Sequence, residues 1–248
     1  MKKFVSVFLP IVLLAASCGT ATVESDKVDE STYFREFGVT FDENTLKSRA
    51  EAQFSVSGFH HNLDSATTIE LVEPSAIKIN EKKTKFFDAR EHTDLLGKGS
   101  YYYLDLGNDR KSVKFTWIKK DGSTDQQVVS APEEIALTFP VDGAKINKNK
   151  HVKFKFAGPP LGKKEFIRIS INVEKPDDAS PIPGDQRTTY ISDIFDSLDN
   201  VFFSADDAKY LRTGKAKLYL SRHYLAKNGQ ILKESTYIAR DFNVTITN

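Results

Sequence analysis

The chain has 248 residues, 40% of them hydrophobic and 28% charged, with 18 Phe and 9 Tyr. That is enough apolar content to build packed cores, and it excludes global disorder. Thirty-five basic residues against 34 acidic ones give a formal charge of +1, so nothing in the balance draws the chain to nucleic acid or to an anionic membrane surface.

Met1-Lys2-Lys3 is a short basic start, and Phe4 to Ala16 is an apolar stretch broken only by Ser6 and Pro10. Ala15-Ala16-Ser17 then places small residues before Cys18, the only cysteine. Charged, apolar and small segments in that order are the layout of a secretory signal peptide over residues 1–17. The apolar run is shorter than the about 20 residues a bilayer span needs. Leu14-Ala15-Ala16-Ser17-Cys18 resembles the lipobox of bacterial lipoproteins, in which the cysteine sulfur receives a diacylglyceryl group and becomes the new N-terminus. Leu stands four positions before the cysteine and Ala three before, a departure from the strongest form of that pattern. The resemblance implies a membrane anchor through lipid on Cys18, with three acyl chains such as palmitate, and so a durable attachment. Gly19 stands where enterobacterial lipoproteins retained at the inner membrane carry aspartate, which by that analogy implies the outer membrane. Residues 18–32 are small and polar without periodicity and read as a solvated tether.

From Tyr33 the period is two. Ala52, Phe54 and Val56 alternate with Glu51, Gln53 and Ser55; Ile77 and Ile79 alternate with Lys78 and Asn80; Val113, Phe115 and Trp117 alternate with Lys114 and Thr116. Each run predicts a half-buried strand, and Asp121-Gly122 predicts a hairpin into Gln126 to Val129. Ala131-Pro132-Glu133-Glu134 breaks the pattern and reads as a linker. A second series follows: Val152, Phe154 and Phe156; Ile167, Ile169, Ile171 and Val173; Ala216, Leu218 and Leu220; and Phe242, Val244 and Ile246. Pro176 to Gly184 predicts a long loop, Ser204 caps a short helical turn, and Asn228-Gly229 predicts another hairpin. Short strands with turn signals between them resemble immunoglobulin and fibronectin type III-like modules. The expected fold is all-β: two tandem immunoglobulin-like antiparallel β-sandwiches, one over 33–132 and one over 133–248. The resemblance is architectural and brings no catalytic motif.

No nucleophile elbow, phosphate loop, dinucleotide fingerprint or His-Glu-x-x-His occurs, and neither catalytic activity nor a cofactor is expected. His60 and His61 are adjacent and would point to opposite faces of a strand; His92, His151 and His223 have no histidine or cysteine at ligand spacing. Asp193, Asp196 and Asp199 recur every three residues and would line one face of a helical turn. Asp177-Asp178 and Asp185 flank the prolines of the long loop. Neither set forms a calcium loop, and solvated carboxylates are the simpler reading. Trp117 shares a side with Val113 and Phe115 and is expected in a core. If Ile167, Ile169, Leu218, Leu220, Phe242 and Val244 point inward, strand parity turns Phe166, Arg168, Tyr219, His223 and Tyr237 outward on one sheet. Aromatics beside an arginine have the composition of a binding hot spot. The expected function is a lipid-anchored binding or scaffolding element of the bacterial cell envelope, with an envelope protein or a glycan as partner and no nucleic acid. The alternatives are a surface adhesin or glycan-binding lipoprotein and, after that, a hydrolase with scattered active-site residues.

Overall fold

A computed structural model describes residues 22–56, 58, 67–89, 99–131, 133–177 and 188–248. Residues 1–17, for which the sequence leads to the expectation of a signal peptide, and Cys18, His60, His61, His92, Asp178, Asp185 and most of the proline loop lie outside the described residues.

The first half contributes β1 (Thr22–Glu24), β2 (Phe34–Asp42), β3 (Lys47–Ser55), β4 (Thr68–Glu70), β5 (Ala76–Ile79), β6 (Lys82–Lys83), β7 (Lys85–Phe87), β8 (Tyr101–Gly107), β9 (Val113–Ile118) and β10 (Thr124–Val129). In β3, β5 and β9 the side chains alternate as the period-two pattern requires, and Ala50, Ala52, Phe54, Ile77, Ile79, Val113, Phe115 and Trp117 are buried. They form one core between a sheet containing β3 and β2 and a separate sheet in the order β10-β9-β5-β6. Asp121-Gly122 turns β9 into β10, with Gly122 at φ +81°, a left-handed conformation that glycine adopts without strain.

The second half contributes β11 (Ala136–Phe139), β12 (Lys145–Asn147), β13 (Val152–Lys153), β14 (Lys155–Ala157), β15 (Glu165–Pro176), β16 (Tyr190–Phe195), β17 (Phe202–Phe203), the single turn α1 (Ala205–Ala208), β18 (Gly214–Asn228), β19 (Ile231–Ile238) and β20 (Phe242–Thr247). Ser204 caps α1 by accepting from the Asp207 N–H at 3.1 Å. Ile167, Ile169, Ile171, Val173, Ala216, Leu218, Leu220, Val244 and Ile246 face Leu137, Val152, Phe154, Phe203 and Leu211 across a second core. Gly214 opens β18 at φ +137°, where a Cβ would lie 2.2 Å from the Lys175 carbonyl oxygen, so only glycine permits this close approach.

The chain is all-β, with two immunoglobulin-like sandwich cores, but the two halves are joined by more than a linker. The main sheet runs β1-β4-β3-β2-β19-β18-β15-β16, and its central seam is a parallel pairing of β2 with β19 over eight residue pairs, Arg35↔Ile231 to Asp42↔Ile238. β1 with β4 and β12 with β20 are also parallel, and these three pairings stand among otherwise antiparallel strand pairs in the described residues. The 15-residue β18 is long enough to pair with β20 in its first part and β19 in its last, which carries the β18–β19 hairpin alongside β2. Side chains cross the same seam. Phe41 of β2 belongs to the second core and stacks on Tyr237, with centroids 5.6 Å apart and planes at 20°. The Arg110 guanidinium lies 3.9 Å from the Phe41 centroid and pairs with Glu134. Lys233 Nζ donates to the Val128 carbonyl at 3.2 Å.

The tether also needs correction. Within its described part, 22–32, the Thr22 hydroxyl bonds Thr68 and Ser100 at 2.9 and 2.8 Å, Ser25 is fully buried, and Val23 packs on the first core. Two 3-10 turns, Ser25–Lys27 and Glu30–Thr32, then lead into Tyr33, which is buried and stacks on Trp117.

Candidate interaction face

Both second layers lie on the same side of the main sheet, because Phe37, Val39, Ala50 and Ala52 point into the first core and Ile167, Ile169, Leu218 and Leu220 into the second. The opposite parity therefore makes a common outer face. In the second half that face is set by register: Arg168 lies opposite Ser221 and Ile194, Ser170 opposite Tyr219 and Ser192, and Asn172 opposite Tyr190.

Phe166, Arg168, Tyr219 and His223 take outward positions there, with Phe166 opposite His223 in register. Phe166 and His223 stack nearly parallel, 4.8 Å between centroids at 9°. His223 Nε2 is 2.7 Å from the Ser221 hydroxyl and Nδ1 is 3.1 Å from that of Thr236. With both ring nitrogens engaged, His223 is a structural member of the face. Arg168 is exposed and takes part in no ion pair among the described residues.

Tyr237 does not belong to this face. It is 3% exposed, packed in the second core, and its hydroxyl donates to Glu43 at 2.8 Å. Burial pushes its phenol up to about 12. The parity argument fails at a bulge: β18 pairs Ser221 with Ile238 in β19 but Leu218 with Phe242 in β20, a one-residue shift across Ala239–Asp241. One inserted residue exchanges the two sides of a strand.

Two members of the face were missed by sequence reasoning. Tyr190 and Ile194 are 52% and 51% exposed on the outer side of β16. Their signal was available, since Ile191 and Phe195 occupy the other parity and pack on the core. The Tyr190 hydroxyl donates to Ser170 at 3.2 Å, and Ser170 donates to Ser192 at 2.9 Å. Hydrogen bonds with Ser170 and Ser192, and then the Arg168 charge, hold the Tyr190 phenol below its ordinary value against the opposing effect of partial burial. Farther along the same face, an open polar groove of about 560 Å³ crosses the seam, lined by Thr40, Asp42, Lys47, Arg49, Glu51 and Asp105.

The other candidate sites do not converge. Asp193 lies in β16, so Asp193, Asp196 and Asp199 do not share a helical turn. His151 packs edge-on against Phe202 at 5.2 Å. Among the described residues no group of three or more His, Cys, Asp or Glu side chains is placed to hold a metal, and no helix there is long and apolar enough to cross a membrane. Trp117 is 3% exposed in the first core, as its strand position predicts.

No protein-family model matches the sequence, and no curated protein matches it. Among solved structures the chain is similar to Dpr11 IG1 bound to DIP-gamma IG+IG2, at 8% identity and TM-score 0.22 over 85% of this chain and 94% of that one. It is similar to DIP-gamma IG1+IG2 at 9% identity and TM-score 0.21, over 87% and 95%. A third likeness is to the Yersinia pseudotuberculosis adhesin InvE, at 10% identity and TM-score 0.22, over 86% of this chain and 59% of that one.

Proposed function

We propose that the chain is a lipid-anchored binding protein of a bacterial envelope, of the outer membrane in particular, which docks a protein partner on the outer face of its main sheet and performs no catalysis. The observation that carries the docking role is the exposed group Arg168, Tyr190 and Ile194, flanked by the half-buried Tyr219, on a hydrogen-bonded sheet. Rigid aromatics on a fixed scaffold lose little conformational freedom on binding, and aromatics together with arginine are the residues that dominate interface energetics. The anchor rests on the charged, apolar and small segments before Cys18 and on their likeness to a lipobox. A glycan-binding surface protein is the second reading, favoured by the open polar groove lined by Thr40, Arg49 and Asp105.

Metabolic labelling with a fatty-acid analogue tests the anchor. Label and membrane association are expected in the natural chain, and Cys18→Ala should abolish label and release the protein or leave its leader uncleaved. Equal label on both proteins refutes it. Photo-crosslinking from the outer face in intact cells tests docking, and a glycan adduct there would favour the second reading.

A further inference from the structure

We propose that the occupant of this face is a carboxylate-rich protein segment, laid across β15, β16 and β18 with Arg168 at its centre. The proposal rests on the binding reading above and specifies its partner. Charge on the stretch of the face around Arg168 is one-sided. Outward positions from Phe166 to Asn172, Tyr190 to Ile194 and Tyr219 to His223 hold no carboxylate at all. Farther along β15, the outward Glu174 is engaged by Lys217 at 3.3 Å, and the outward Glu234 lies two strands from Arg168, in β19 beside Gly38. Arg168 therefore stands as an exposed cation without an internal counter-charge among the described residues, with Ile194 directly opposite it in register. A guanidinium presents a planar fork of donors that matches a carboxylate in two-point contact. The apolar and aromatic neighbours would shield that contact from water, where it gains strength.

The geometry also assigns the mode of approach. β16 is the end strand of the main sheet, and an open edge invites strand addition. Here the edge is blocked by its own side chains: the Ile194 N–H donates to Asp193 Oδ1 at 2.8 Å and the Tyr190 N–H to Thr188 Oγ1 at 3.1 Å. An incoming strand would have to displace both and meet Asp193, a carboxylate that would repel an acidic partner. The partner therefore lies on the face and does not extend the sheet.

The test uses the full-length chain in cells that express it natively, with benzoylphenylalanine replacing Tyr190 and, as controls on other surfaces, Val128 or Phe202. Irradiation should give a protein adduct from position 190 whose cross-linked segment carries a net negative charge. Arg168→Glu should lower the adduct yield at least about tenfold, with an unchanged melting temperature, as should about 0.5 M salt, which screens exposed charge. Changing the captured segment's carboxylates to lysine should restore its capture by Arg168→Glu. If that variant fails to fold, Arg168→Gln takes its place, with the same loss expected. An adduct from position 190 with a neutral or basic segment or with a glycan, or one indifferent to both charge change and salt, overturns the proposal. Adducts from position 128 or 202 alone overturn it while leaving a binding role intact. Silence at all three positions overturns both.

Discussion

Phe41 offers the sharpest test of how the two halves depend on each other. It lies in β2, within the first half, yet its side chain is 1% exposed inside the second core and stacks on Tyr237. Truncating a fully buried phenylalanine to alanine costs about 3–5 kcal/mol, of which about 0.5–1.5 kcal/mol belongs to the aromatic pair. With a urea dependence of about 3 kcal/mol per molar, the upper end for small proteins, Phe41→Ala should lower the unfolding midpoint by roughly 1–1.7 M. Trp117, the only tryptophan, sits in the first core. Its fluorescence therefore reports on the half whose core Phe41 does not enter. If the β2–β19 ladder couples the cores, fluorescence and far-ultraviolet circular dichroism should move together by that amount in Phe41→Ala. A double-mutant cycle with Tyr237→Ala should return a coupling of about 0.5–1.5 kcal/mol. A fluorescence midpoint that stays in place while a separate transition appears in the dichroism would refute the coupling. A loss under about 1 kcal/mol would refute the burial of Phe41 itself.

Leu218 is fully buried between β15 and β20, so Leu218→Ala should cost about 2–5 kcal/mol in urea titrations, whereas Lys217→Ala, which gives up only a surface pair with Glu174, should cost within about 0.5 kcal/mol. Stability should also fall at alkaline pH. Burial raises the Tyr237 and Tyr33 phenols from 10.0 to about 12, so between those values the unfolded chain releases protons that the folded one retains. The resulting stabilisation is complete below pH 10 and is lost as pH rises toward 12. Tyr237→Phe should flatten the slope of stability against pH in that window, and an unchanged slope would count against the burial described for this phenol.

Strand interiors were the most legible part of the sequence. Ile167, Ile169 and Ile171 alternating with Arg168 and Ser170 specify which side faces the core, because the side-chain period of a strand is two whatever its neighbours. Hairpins at Asp121-Gly122 and Asn228-Gly229 were legible because their backbone needs left-handed φ at glycine. The β2–β19 seam was not legible. Alternation fixes which face of Phe37, Val39 and Phe41 is buried but says nothing about which distant strand lies alongside. The bulge at Ala239–Asp241 was missed because no glycine or proline marks it, and Tyr237 was misplaced with it. Thr22 to Thr32 read as tether since Val23 and Val28 are the only large apolar residues among them. Their order comes from long-range hydrogen bonds, such as the Val72 N–H donating to Ser25 Oγ at 3.0 Å and the Lys120 N–H to Glu30 at 2.9 Å.

The parallel seam has a mechanical consequence. A pull applied at the N-terminal end and resisted by a partner held at Arg168 passes from β2 to β19 along the direction of both strands. The ladder between Arg35↔Ile231 and Asp42↔Ile238 is then loaded in shear, so its hydrogen bonds share the force and yield together. Peeled from one end, the same bonds would break one after another at a far lower load. A protein stretched between a surface and a bound partner would thus resist separation of its halves most strongly along this axis. Single-molecule extension from residue 22 against residue 168 should show one high-force event at the seam, and a series of small steps would mean that the ladder unzips instead.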